Sequence, residues 1–141
     1  MSLLRPKKIY LAGGIHGLSE VQASEWRSYA AMMLMRHGME VIDPLRGRRA
    51  ADGYYNGASY NPAEIVLRDK NDILTSDAVL AEYTDPHRNY AGTSMEILFA
   101  YEHMKPVVVW SQYADSYWIR YHATIILPTL DDCIKFLANF W

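Results

Sequence analysis

Five short apolar runs, separated by stretches of helical character, constrain this chain more than any other feature. They are Lys8–Ala12, Met39–Ile42, Asp77–Glu82, Pro106–Trp110 and Ala123–Leu127. Runs this continuous, rather than alternating apolar with polar, suit strands covered on both faces, which is what helices on either side of a parallel sheet produce. The intervening segments carry helix signals. Ser19-x-x-Gln22 reads as a capping box opening a helix to about His37, with Gly38 just past its end. Asn61-Pro62-Ala63-Glu64 puts Asn at the N-cap and Pro at the first helical position of a helix to about Thr75. Further helices are expected over Thr93–Met104, briefly around Ser116–Tyr121, and over Thr129–Phe140. The expected fold class is therefore α/β: a doubly wound, flavodoxin-like, five-stranded, mostly parallel sheet in the order 2-1-3-4-5, in one domain over 1–141.

That strand order places function before any residue is examined. Ligands of open α/β sheets bind outside the carboxyl ends of the strands, at the switch point. Here the switch point lies between the first and third strands, so the loops after Ala12 and after Glu82 face one crevice. Gly13-Gly14 would then stand beside Gly92-Thr93-Ser94-Met95-Glu96.

Several residues there have two readings. Thr93-x-x-Glu96 has the spacing of a capping box, in which the glutamate only satisfies a backbone N–H; at the same place a carboxylate is poised over the crevice. Gly13 and Gly14 permit close approach of a ligand, or only a tight turn. Nothing around them has the dinucleotide or phosphate-loop pattern. His16 either contacts an anion or hydroxyl group or faces solvent. Asp69 lies one helical turn from both Ile65 and Ile73, flanking an apolar stripe of Val66, Ile73 and Leu74, whereas Asp72 is expected to point further toward solvent. Asp69 is thus either a functional carboxyl group or half of a salt bridge to Arg68 or Lys70. The loop over 45–60, long for a compact domain, has the length of a lid or binding loop. Its Arg46, Arg48 and Arg49 suit a phosphate or a solvated surface.

Bulk properties close off other functions. A net charge of −2 over 141 residues gives no general attraction to nucleic acid or to a membrane surface. No run reaches the ~18 apolar residues of a membrane span, and Met1–Lys8 is too short and polar for a signal peptide. The single cysteine, Cys133, excludes an internal disulfide, falls among apolar residues as a core thiol, and points to the cytoplasm. The histidines show no H-x-x-x-H pair, so neither a metal nor another cofactor is expected. Eleven tyrosines and four tryptophans are expected to line a cleft or a subunit contact. A planar ligand would stack on aromatics of the 45–60 or 83–91 loop.

Taken together, Ile9-Tyr10-Leu11-Ala12-Gly13-Gly14, Val41-Ile42-Asp43-Pro44, Asp69-x-x-x-Ile73-x-x-x-Asp77-Ala78-Val79, Gly92-Thr93-Ser94-Met95-Glu96 and Lys105-Pro106-Val107 resemble the nucleoside 2-deoxyribosyltransferase family and its nucleotide N-hydrolase relatives. The resemblance implies that Glu96 is the nucleophile, that Asp69 acts on the leaving base, and that Tyr10 orients the nucleophile. It also implies substrate contacts from Gly13, Gly14, His16, Asp43, Gly92, Thr93, Ser94 and Ser116. The Ser116-Tyr117-Trp118 segment is similar to one in the N-hydrolases that reaches a 5′-phosphate from the neighbouring subunit, although Ser116 also suits a helix cap. A homodimer or larger homo-oligomer with a shared site follows from the resemblance. One position departs: Tyr90 stands where many of the transferases carry an acidic residue.

The expected activity is cleavage of a (2-deoxy)nucleoside through a glycosyl-Glu96 intermediate, with transfer of the sugar to an acceptor base. Hydrolysis of a (deoxy)nucleoside 5′-monophosphate is the alternative. A third reading is a non-catalytic nucleotide-binding module on the same fold.

Overall fold

The computed structural model describes residues 5–55 and 60–141. Met1–Leu4, which belong to the leader reading, and 56–59 of the long loop lie outside the described residues. Five parallel strands form one sheet in the order β2-β1-β3-β4-β5: β1 Lys8–Ala12, β2 Glu40–Ile42, β3 Ala78–Glu82, β4 Val107–Trp110 and β5 Ile125–Leu127. The helices between them are α1 Glu20–Arg36, α2 Pro62–Thr75, α3 Ala91–Glu102, α4 Tyr117–His122 and α5 Leu130–Phe140. The expected fold class and strand order hold.

Alternation along each strand divides the interior into two layers. Ile9 and Leu11 of β1, with Ala78 and Leu80 of β3, pack on Trp26, Ala30 and Leu34 of α1 and on Cys133, Ile134 and Leu137 of α5. Tyr10 and Ala12, with Val79 and Ala81, face Ile73 of α2, Ile97 and Ala100 of α3 and Ile119 of α4. Cys133 is a core thiol, pushed up to about 12 by burial.

The caps at the first two helices form as the sequence reads. Ser19 Oγ accepts from Gln22 N at 3.1 Å and Gln22 Oε1 accepts from Ser19 N at 3.0 Å. Asn61 Oδ1 accepts from Ala63 N, with Pro62 at the first helical position. Gly38 takes a φ of +79° past the end of α1, where a side chain would be strained.

Two expectations about helices fail. The third helix starts at Ala91, because Asn89 Oδ1 takes the Ala91 N–H and Tyr90 O takes that of Ser94. Tyr90 is the N-cap, and its own side chain makes no capping bond. Thr93 is therefore already inside the first turn, and the Thr93–Glu96 capping box does not exist. On α2, Ile73 is buried but Val66 and Leu74 are exposed, while Asp72 is buried instead of facing solvent. The reason is the long loop, whose arginines lie along α2: Arg46 pairs with Asp72 at 2.8 Å, and Arg68 reaches back to Pro44 O and Arg46 O.

Candidate active site

A cavity of about 600 Å³ opens at the carboxyl ends of β1 and β3, between α2 and α3. Its floor is the Gly13–His16 loop, one wall is Arg48, Ile65, Val66, Asp69 and Lys70, and the other is the start of α3 with Glu96 and Phe99.

The floor is tied from beneath by Arg27, a wholly buried cation on the apolar face of α1. Its guanidinium donates to Ala23 O at 2.7 Å and Gly13 O at 3.1 Å, with longer bonds of 3.4 Å to Leu11 O and Gly14 O. Burial lowers its pKa, opposed by Asp43, Glu96, Tyr10 and Glu82. The two glycines are required by packing beneath and beside the loop. A Cβ on Gly13 would lie 2.8 Å from the Trp26 ring, and one on Gly14 2.9 Å from Arg88 Cδ.

Glu96 projects into the cavity from the second turn of α3. Tyr10, buried on β1 and pointing to the same face of the sheet, donates its phenol to Glu96 Oε2 at 2.5 Å. Burial pushes the Glu96 carboxyl up to about 7; the Tyr10 bond opposes this, Asp69 adds to it, and Arg27 and Arg48 oppose it. Burial, followed by the charges of Glu96 and Asp69, raises the Tyr10 phenol well above its ordinary range, so it remains a donor. A carboxylate held by one hydrogen bond, near neutrality in its titration, has the properties of a nucleophile or an acid–base group rather than of a helix cap.

Asp69 stands on the opposite wall. Its Oδ2 accepts from Arg48 Nη2 at 3.1 Å and its Oδ1 lies 3.8 Å from Arg68 Nε. Burial raises its carboxyl while Arg48 and Arg68 lower it. Its salt bridge is thus to the long loop and to Arg68, not to Lys70. Arg48 lines the cavity; Arg46 and Arg68 do not.

Most of the expected site comes together. Gly13, Gly14, His16, Asp69, Gly92, Thr93 and Glu96 all line the cavity, and Tyr10 touches it through Glu96. Three residues do not. Asp43 turns inward, its Oδ1 accepting from Leu45 N at 2.9 Å and lying 3.8 Å from Arg27 Nε. Ser94 turns to the Tyr83 hydroxyl at 3.3 Å. Ser116 begins α4 outside this cavity, without a side-chain capping bond. The loop aromatics also stay out: Tyr83 and Tyr90 stack on each other with centroids 4.2 Å apart, and Tyr55 is buried under the long loop. The aromatic ring in the wall is Phe99, with Lys70 Nζ 5.3 Å from its centroid.

Sequence reading missed Arg27, Asn89 and Phe99, and named Arg48 only as one of three loop arginines suited to a phosphate or a solvated surface, not as a partner of Asp69. Arg27 had a signal, a lone arginine four residues after Ala23 and three before Ala30 on an otherwise apolar face. Arg48 had none, since its place depends on how a long loop folds back.

On the other side of the floor, Glu82 ends β3 facing α1. It is buried, accepts from Thr84 N, Thr84 Oγ1 and Tyr90, and lies 3.3 Å from Arg88 Nη1. Among the described residues, no group of three or more His, Cys, Asp or Glu is gathered as a metal site. No helix there is long and apolar enough to cross a membrane.

The switch-point crevice of this α/β sheet thus holds a tyrosine-bound glutamate opposite an aspartate. The nucleoside 2-deoxyribosyltransferase family model matches residues 9–133, and the chain belongs to that family. Among solved structures it is similar to the 2-deoxyribosyltransferase of Bacillus psychrosaccharolyticus, at 22% identity over 94% of this chain and 90% of that one, with a TM-score of 0.66. It is similar also to the CMP N-glycosidase of Clostridium botulinum, at 17% identity over 96% and 100% of the two chains, with a TM-score of 0.64. A 2-deoxyribosyltransferase from Leishmania mexicana matches at 16% identity over 84% and 73%, with a TM-score of 0.56. No curated protein matches the sequence. The family supports N-glycosidic chemistry on nucleosides or nucleotides in general terms.

Proposed function

We propose that the chain cleaves the N-glycosidic bond of a (2-deoxy)nucleoside through a covalent glycosyl-Glu96 intermediate and passes the sugar to an acceptor base. The observation that carries this reading is the Tyr10–Glu96 hydrogen bond inside a cavity whose far wall is Asp69. One Glu96 oxygen attacks C1′ as the C1′–N bond breaks, through an oxocarbenium-like state that a nearby carboxylate stabilises. Tyr10 holds the other oxygen. Asp69, with its partner Arg48, forms the wall at which the base departs. A second base, entering where the first left, attacks C1′ and frees Glu96. No step calls for a metal or organic cofactor.

A specific observation favours a second reading, hydrolysis of a 5′-monophosphate. The first turn of α3 opens on the cavity beside His16 and Asn89, with no acidic residue and, beyond the Asn89 bond to Ala91 N, no side-chain cap. Unsatisfied helix-start N–H groups favour an anion there. Tyr90, at the position where transferases carry an acidic group, is turned to Glu82 instead. For either reading we place the protein in the cytoplasm as a homo-oligomer. Ser116 starts α4, whose Tyr117, Trp118 and Tyr121 are exposed as a contact between copies would require.

The test is chromatographic release of free base from the common deoxynucleosides and their 5′-monophosphates, with and without adenine or cytosine as acceptor, beside Glu96→Gln. Base exchange on nucleosides supports transfer, and release from monophosphates alone supports the hydrolase. No product from either set leaves the non-catalytic nucleotide-binding module.

A further inference from the structure

We propose that Arg48 is a further catalytic residue, whose guanidinium meets the departing base and takes up the negative charge that builds on it as the C1′–N bond breaks. The proposal rests on the N-glycosidase reading above and changes the part played by Asp69 within it.

The argument starts from charge on the cavity wall. Arg46, Arg48 and Arg68 are gathered on two carboxylates, Asp69 and Asp72. Asp72 is matched by Arg46 at 2.8 Å. Asp69 has one oxygen bonded to Arg48 and the other facing Arg68. Three cations against two anions leave a surplus positive charge, and of the three arginines only Arg48 lines the cavity. Burial raises the Asp69 carboxyl, but two guanidinium groups oppose it and favour the ionised form, which has no proton to donate. Arg48 retains unused donors: its Nε–H has no hydrogen-bond partner, and a guanidinium carries five N–H groups in all. Its side chain is 12% exposed, so its charge is poorly screened by water. Its field reaches the nucleophile, since Arg48 is among the groups that lower Glu96.

The step balances without another reactant. The bond from C1′ to a Glu96 carboxylate oxygen forms as the C1′–N bond breaks. The electron pair goes to the base nitrogen, and the base leaves as an anion hydrogen-bonded to Arg48. Water then supplies the proton that neutralises it. A preorganised cation at the point of charge development stabilises that state without reorganising during the reaction. Asp69 becomes the positioning residue that fixes the guanidinium.

The experiment compares Arg48→Gln, Arg48→Lys and Arg46→Gln with the wild type, by single-turnover base release. Two substrates are used: the best one found in the panel above and its ring-fluorinated counterpart (5-fluoro for a pyrimidine, 2-fluoro for adenine), whose base leaves more readily as an anion. Arg48→Gln is expected to lose about 10²–10³-fold on the parent base and only about tenfold on the fluorinated one, following the cost of removing one donor to a developing anion. Arg48→Lys, which keeps the charge, should recover part of the loss. Arg46→Gln, off the cavity, should stay close to wild type. Equal losses on both bases, or none, would overturn the proposal. So would a smaller loss on the parent base, because freeing Asp69 from Arg48 favours its protonated form and would make it the better acid. A thermal midpoint measured on each variant separates misfolding from chemistry, and Arg48→Lys carries the test if Arg48→Gln does not fold. Wild-type protein that releases no base from any substrate defeats the N-glycosidase reading itself, a result distinct from these.

Discussion

Glu82 and Glu96 are a natural pair to compare. Each stands at the carboxyl-end rim of the sheet, each receives a tyrosine hydroxyl, and the two lie on opposite faces, with the Gly13 loop between them. Glu82 has a crowded shell: Tyr90 and the amide and hydroxyl of Thr84 all on Oε2, and the cation of Arg88 3.3 Å from Oε1, which has no hydrogen bond. Glu96 has Tyr10 and an open cavity. The difference teaches that burial alone does not mark a reactive carboxylate. A buried charge paired with a cation and closed off by its neighbours holds structure together, whereas one with a single hydrogen bond beside an open cavity keeps reactivity in reserve.

The contrast breaks most visibly under matched substitutions. Glu96→Gln should lower turnover by at least about 10³-fold, as expected for loss of a nucleophile, with the protein still folded by circular dichroism. Glu82→Gln should do the reverse. It leaves Arg88 without its buried partner and should cost about 3 kcal/mol or more, the usual penalty for halving a buried pair, read as a lower midpoint in urea. If Glu82→Gln unfolds no more easily than the wild type, the structural role of the Glu82–Arg88 pair fails.

Titration sharpens the comparison. If Glu96 attacks as a carboxylate, kcat/KM should fall with decreasing pH through an acid limb near 7. Tyr10→Phe removes the bond that favours the charged form, so the limb should move to higher pH. A limb left in place would show that Glu96 is not the titrating group.

Stability should respond with a definite sign. A carboxyl raised from 4.5 to about 7 binds more protons in the folded than in the unfolded state between those values. Its contribution is therefore greatest below 4.5 and is lost as pH rises through about 7. Glu96→Gln removes that loss and should stabilise the protein at pH 8 by about 1–3 kcal/mol, measured by denaturant melts at pH 5 and pH 8. The smallest effect is expected from Ser94→Ala, whose 3.3 Å contact to Tyr83 is worth about 0.5–1 kcal/mol. Its kcat/KM should not change, because Ser94 does not line the cavity.

Sheet order was legible in the sequence because it follows from local signals. The apolar runs, the Ser19–Gln22 box and the Asn61-Pro62 start each act within a few residues, and helix crossovers leave few arrangements. Strand order brought Glu96 beside Gly13-Gly14, but Glu96 and Asp69 were legible as a pair only through the family resemblance. Phe99 and Arg48 were not, for different reasons. Phe99 looks like any aromatic in a helix until a cavity is found beside it. Arg48 depends on a loop that folds along α2, where tertiary ion pairs with Asp69 and Asp72 decide the path. The same loop explains the Asp72 error, since helical spacing gives a direction relative to the helix but not what else packs there. The missing cap at Thr93 came from two residues upstream, where Asn89 and Tyr90 had already begun the turn.

The bonds from Arg27 to main-chain oxygens of Leu11, Gly13, Gly14 and Ala23 have a consequence for how such a site can change. The floor of the cavity is held by atoms that every residue possesses, through a side chain no ligand touches. The wall above it carries Arg48 from a surface loop and Phe99 from a helix, each replaceable without moving a strand. New substrate preferences would therefore be selected on Arg48 and on Phe99, while substitutions at Arg27 would be purged before any change in specificity could be tried.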